Sequence, residues 1–122
     1  MDTTTLVDNK IEEGKTLLND LEKEKVKLDD AMWGYDEDEH LWKLILTSPI
    51  VKEKGSLFLY NKINELLSER KYRGIKLENV KVLDTNDLFM QIFRPAFEKR
   101  QEVFKDVSLK DGYIYFLHSS IR

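Results

Sequence analysis

The sequence predicts a single α+β domain over residues 1–122, in the order α-ββ-α-β-α-ββ, with a mainly antiparallel five-stranded sheet and three helices. Three observations predict it. Apolar residues recur at three- and four-residue spacing in three stretches, as one face of a helix requires. Between them, aromatic and β-branched residues alternate with period two. Four of the alternating stretches come as two pairs joined by short polar turns, which implies two hairpins.

The first helix runs from Leu6 to about Lys25, with Val7, Ile11, Leu17, Leu18 and Leu21 on its apolar side. Thr5 with Asp8 has the form of a capping box. Charged pairs three apart, Glu12 with Lys15, Asp20 with Lys23 and Glu22 with Lys25, are placed on the outer surface. Positions 11, 14, 18, 21, 25 and 28 also approximate a coiled-coil seam, although Gly14 and Lys25 fall on it. Packing on the protein's own sheet is expected, with a partner helix as the alternative.

The first hairpin follows. Ala31, Trp33 and Tyr35 share one face, with Met32 and Gly34 on the other; after the polar tip, Trp42, Leu44 and Leu46 alternate with Leu41, Lys43, Ile45 and Thr47. Ser48-Pro49 ends or edges the second strand. Gly55-Ser56 opens a helix to about Lys71, striped by Leu59, Tyr60, Ile63, Leu66 and Leu67 and closed by Gly74. Val80, Val82 and Leu83 predict a third strand.

Asp84-Thr85-Asn86-Asp87 then supplies cap residues for a helix bearing Leu88, Phe89, Ile92, Phe93, Ala96 and Phe97. Pro95 must kink that helix or make it end and restart. Residues 103–109 and 113–118 form the last hairpin, with Gly112 supplying a positive φ in its turn. On the final strand Tyr113, Tyr115 and Leu117 lie opposite Ile114 and Phe116, so both faces are apolar. Either the helices divide between the two faces, or part of one face meets another chain.

Composition narrows the function. There are no cysteines, which excludes disulfides, thiolate metal sites and a cysteine nucleophile. Twenty basic and 23 acidic residues give a net charge of -3, without the cationic surplus of a duplex-binding domain. The N-terminus has no secretion signal, and the apolar run Tyr113–Leu117 is far too short to span a membrane. The expectation is a soluble cytoplasmic protein.

No reactive constellation stands out. Asp36-Glu37-Asp38-Glu39-His40 has carboxylates suited to hard cations, but the acids are consecutive and no glycine wraps the turn, so a solvated hairpin tip is expected. His118, the other histidine, is the remaining candidate base, followed by Ser119 and Ser120. Nucleophile elbows, zinc-helix motifs and glycine-rich phosphate loops are absent. The strongest basic cluster is Arg70, Lys71, Tyr72 and Arg73 with Lys76, a ring among cations as on a single-strand platform. The alternative is a helix C-terminus complementing its dipole.

The pattern of Ala31-Met32-Trp33-Gly34-Tyr35, an acidic turn, Trp42-Lys43-Leu44, Ser48-Pro49 and then a helix with Tyr60 resembles that of small uncharacterised bacterial α+β proteins. The likeness covers about the middle third of the chain. It implies a bacterial origin and the same small α+β domain, and it implies no activity. The leading functional expectation is therefore a non-enzymatic interaction module, homodimeric or an accessory subunit, with Trp33, Tyr35, Trp42, Tyr113 and Tyr115 as its contact surface. A metal-assisted hydrolase using His40 or His118, or a small-ligand-binding protein, comes second, and a nucleic-acid accessory protein third. No cofactor or membrane partner is implied.

Overall fold

Alternation along the hairpin strands gives the sheet two apolar faces, and the helices divide between them. The computed structural model describes residues 6, 8–70, 72–98, 105–109 and 112–118. Its elements are α1 (Asp8–Lys23), β1 (Asp30–Asp36), β2 (Leu41–Ser48), α2 (Ile50–Lys54), α3 (Ser56–Arg70), a 3-10 turn (Leu77–Asn79), β3 (Val80–Asp84), α4 (Leu88–Glu98), β4 (Lys105–Leu109) and β5 (Gly112–Phe116). Thr5, half of the expected capping box, lies outside the described residues. No helix among those described is long and apolar enough to cross a membrane.

The strands form one sheet in the order β3-β2-β1-β5-β4. The α+β class stands, with two differences in detail. The sheet is mixed, because β2 and β3 pair in parallel across the helical crossover that joins them. Among the described residues four α-helices replace the expected three, since Ile50–Lys54 coils separately ahead of α3. Pro49 starts that short helix, a position where its missing N–H costs nothing. Gly55 then turns the chain with φ 86° and ψ 159°, a conformation open essentially to glycine alone.

On one face, Trp33, Trp42, Leu44 and Leu46 pack beneath α1 and α3, which contribute Leu17, Leu21, Leu59 and Ile63. On the other, Met32 and Ile114 pack beneath Met90 and Phe97 of α4. The helix continues through Pro95 and does not end and restart there. Phe116 departs from simple alternation. Ala31 pairs with Phe116 while Met32 pairs with Ile114, so Tyr115 is the extra residue of a bulge. That slip moves Phe116 onto the α1 side, away from Ile114.

The same bulge residue anchors α1. The Tyr115 hydroxyl accepts a bond from Trp33 Nε1 at 2.8 Å and donates to the Ile11 carbonyl at 2.6 Å. It can reach that carbonyl only because Gly14 has no side chain; a Cβ there would sit 2.2 Å from the hydroxyl oxygen. The apolar stripe of α1, Gly14 included, is thus used on the protein's own sheet, not as a coiled-coil seam. Gly112 also differs from expectation. It lies in β5 without a positive φ, and its role is close approach, since a Cβ would meet the Trp33 carbonyl oxygen at 2.4 Å.

These contacts reverse the usual sign of a glycine substitution in a helix. Gly14→Ala is expected to destabilise by about 1–3 kcal/mol through overpacking, where an open helical site would gain stability. Tyr115→Phe costs about 1–3 kcal/mol by leaving the buried Trp33 Nε1–H without its acceptor. Combined, the pair costs less than the sum, because the clashing hydroxyl is gone; urea denaturation of the four-protein cycle measures the coupling.

Candidate functional site

Two places bring chemically distinctive side chains together: a buried polar cluster at one end of the sheet, and an apolar groove on its α4 face. The cluster centres on Asp30, fully buried, and Arg94, 5% exposed. Arg94 Nε donates to Asp30 Oδ1 at 3.1 Å and Nη2 to Oδ2, a two-pronged pair. Thr47 Oγ1 donates to Oδ2 at 2.5 Å and the His118 amide to Oδ1 at 2.8 Å. Four bonds occupy the four acceptor positions of the carboxylate. Nothing is left on Asp30 to take a substrate proton or ligate an ion.

The neighbours serve the same cluster. Arg94 Nη2 also donates to the Thr85 carbonyl at 2.7 Å, and Thr85 Oγ1 donates to Asp29 Oδ2 at 2.7 Å. His118 Nδ1 lies 4.0 Å from Asp29 Oδ1. His40 sits at the opposite end, past the Asp36–Leu41 pairing, so the two histidines share no site. Among the described residues no group of three or more His, Cys, Asp or Glu is arranged to hold a metal ion.

The acidic segment forms the tip of the first hairpin. Asp36 Oδ1 accepts the amides of Asp38 at 2.9 Å and Glu39 at 3.1 Å, and these bonds, Glu39's foremost, hold its carboxyl below the ordinary 3.8. His40 closes the turn at φ 55°. Its polar groups therefore serve the turn itself.

The basic cluster is divided among structural tasks. Arg70 grips Asp20 through Nε at 2.6 Å and Nη2 at 2.9 Å, while the Tyr72 hydroxyl approaches the same carboxylate at 3.5 Å. Asp20, expected on the outer surface with Lys23, is instead buried under this pair. Glu13 accepts the amides of Arg73 and Gly74, both at 2.8 Å, tying that loop to α1. Tyr72 is held against the core and its ring is not free to stack on a base. Arg73 and Lys76 are exposed, and Lys71 lies outside the described residues.

The aromatic contact surface expected from the hairpins also needs correction. Trp33, Trp42 and Tyr115 are buried in the α1/α3 core, and Tyr35 and Tyr113 pack against it half-exposed. Period-two alternation identified the shared face but could not tell which face the helices would cover.

An open groove lies on the reverse side. α4 covers only part of that face, leaving a groove of about 740 Å³ floored by Met32, Gly34, Ile45, Leu83 and Ile114 and walled by Phe89 and Phe93. Phe89, Phe93 and Phe97 stack in sequence, with centroids 5.9 and 6.0 Å apart. The ladder runs from the core outward to the groove mouth. Beside it, Leu88, Phe89 and Ile92 are 69%, 48% and 65% exposed. The periodicity of α4 pointed to these residues as core, and the signal that would have separated them is the position of Arg94: the side that meets Asp30 must face inward.

No protein-family model, curated protein or solved structure matches the chain.

Two measurements check the polar assignments. Arg94→Met leaves the buried Asp30 charge unpaired and is expected to cost about 3–5 kcal/mol in urea denaturation, and Arg94→Lys does not restore it because both prongs are needed. Burial first, then the charge of Asp20, pushes the Tyr72 phenol up from 10.0 to about 12. Its contribution to stability is therefore whole below pH 10 and is lost as pH rises toward 12. Ultraviolet phenolate titration should lose a step near pH 12 in Tyr72→Phe.

Proposed function

We propose that this chain is a non-enzymatic protein-interaction module whose contact surface is the outward side of α4 with the groove beside it. One observation carries the reading. In a chain with 35% charged residues, the ten from Leu88 to Phe97 contain a single charge, Arg94, and that one is buried. A helix exposed to water normally carries charges on its outer side. Here the outer side carries Leu88, Phe89 and Ile92, continuous with an apolar groove, which is the character of a surface meant to be covered.

Pairing by strand addition is disfavoured at the β3 edge. The Val82 amide, which faces away from β2, is already bonded to the Tyr60 hydroxyl at 2.9 Å. The exposed apolar residues of α4 support side-chain packing instead, equivalent to helix-in-groove recognition. The groove volume also lies in the range of small-ligand sites, which supports a small apolar ligand as the second reading.

Affinity capture from host cells with wild-type chain and with Ile92→Glu tests the proposal. The wild type should retain a protein at both low and high salt, and Ile92→Glu should lose it while its thermal stability shifts by no more than about 0.5 kcal/mol. Equal retention by both proteins would remove α4 from the contact surface. Retention only at low salt, lost with Arg73→Glu, would favour the nucleic-acid reading instead.

A further inference from the structure

We propose that the cavity between the C-terminal half of α1 and β5 is a binding site for an amphipathic monocarboxylate, an apolar chain with one negative head. The cavity lies on the α1 face of the sheet, opposite the α4 groove, so the inference goes beyond the interaction-module reading and does not depend on it. Its volume is about 740 Å³, within the range of small-ligand sites. Buried or half-buried Leu18, Val26, Leu28, Tyr115 and Phe116 give it an apolar floor. Exposed Lys15, Lys25 and Lys27 stand around that floor with one acid, Glu22.

Two departures from regular backbone geometry meet at this cavity. α1 ends in a Schellman motif, with the Val26 amide donating to the Leu21 carbonyl and the Lys25 amide to the Glu22 carbonyl, both at 3.0 Å. The residue that turns left-handed in that motif is usually glycine; here it is Lys25, at φ 62°. A long cationic side chain is thus kept where glycine would be unstrained, and that side chain lines the cavity. The second departure is the β5 bulge. Successive residues of a strand point to opposite faces, but the slip at Tyr115 lets Tyr115 and Phe116 line the same cavity.

Charge selects the head group. Lys27 approaches Asp29 at 4.0 Å, so those two charges offset each other. Among the described residues Lys15 and Lys25 enter no ion pair, although Glu12 and Glu22 each stand three positions away in sequence. Against the single carboxylate of Glu22, these two ammonium groups leave one positive charge in excess, in a chain that carries -3. A singly negative head neutralises that excess, whereas a dianion overshoots it and a cation adds to it. The apolar floor then takes the rest of the ligand out of water.

Isothermal titration calorimetry of the full chain with sodium decanoate, below its micellar concentration, tests the site. Saturable binding of one decanoate per chain is expected, with decyltrimethylammonium bound at least about 10-fold more weakly. Lys25→Gly removes one ammonium group while installing the residue that φ 62° favours, so thermal melting should show no loss of stability. Its decanoate affinity should nevertheless fall about 3- to 5-fold, the effect of one partly exposed charge pair. Lys15→Gln, at an exposed position of α1, should add a further fall of about the same size. No binding of decanoate at millimolar concentration would overturn the proposal. So would equal affinity for the cationic amphiphile, or an affinity indifferent to both lysine substitutions, the result expected of a chain held in the α4 groove instead.

Discussion

The Asp30–Arg94 pair is the constraint on which the arrangement of this fold depends. A buried carboxylate at the start of a central strand is destabilising by several kcal/mol unless its charge and all its lone pairs are satisfied. Here the partners come from four separate segments: Thr47 on β2, the Thr85 loop through Arg94, Arg94 itself on α4, and the His118 amide after β5. Apolar burial alone would let α4 slide over Met32 and Ile114. The forked guanidinium, bonded to two carboxylate oxygens and a carbonyl, fixes both its rotation and its position along the sheet.

Fixing that rotation decides what the helix shows to solvent. With Arg94 turned inward, Met90 and Phe97 follow it into the core, and Leu88, Phe89 and Ile92 are left outside. Fixing its position leaves the far half of the same sheet face uncovered, which is the groove. The structural pair and the candidate contact surface are thus one consequence, because the one charge between Leu88 and Phe97, Arg94, is committed to holding the helix in place.

Much of this was legible in the residues. Strand faces in the first hairpin, the stripes of α1 and α3, and the helix after Asp87 follow directly from periodicity and caps. The parallel β2–β3 pairing was implicit in a strand–helix–strand order, since a crossover long enough to hold a helix suits parallel neighbours. Other features depend on partners remote in sequence. Gly14 looks like a flaw in a heptad until Tyr115, about a hundred residues on, needs the space. Asp20 looks solvated until Arg70 closes on it. The bulge at Tyr115 shifts Phe116 between faces by one residue, and alternation alone cannot register such a slip. Likewise, a two-sided apolar sheet does not declare which side is the more thickly covered: Trp33, Trp42 and Tyr115 are core, while Tyr35 and Tyr113 stay half-buried beside it.

An uncovered apolar ridge is costly for a small protein, since it invites non-specific association. The remaining edges suggest where that cost is controlled. Tyr60 occupies an outward amide of β3, and the acidic hairpin tip holds negative charge beside the groove, with Glu39 and Lys43 paired across it. One outward amide of the β3 edge is thereby closed to strand pairing, while the α4 surface is left open.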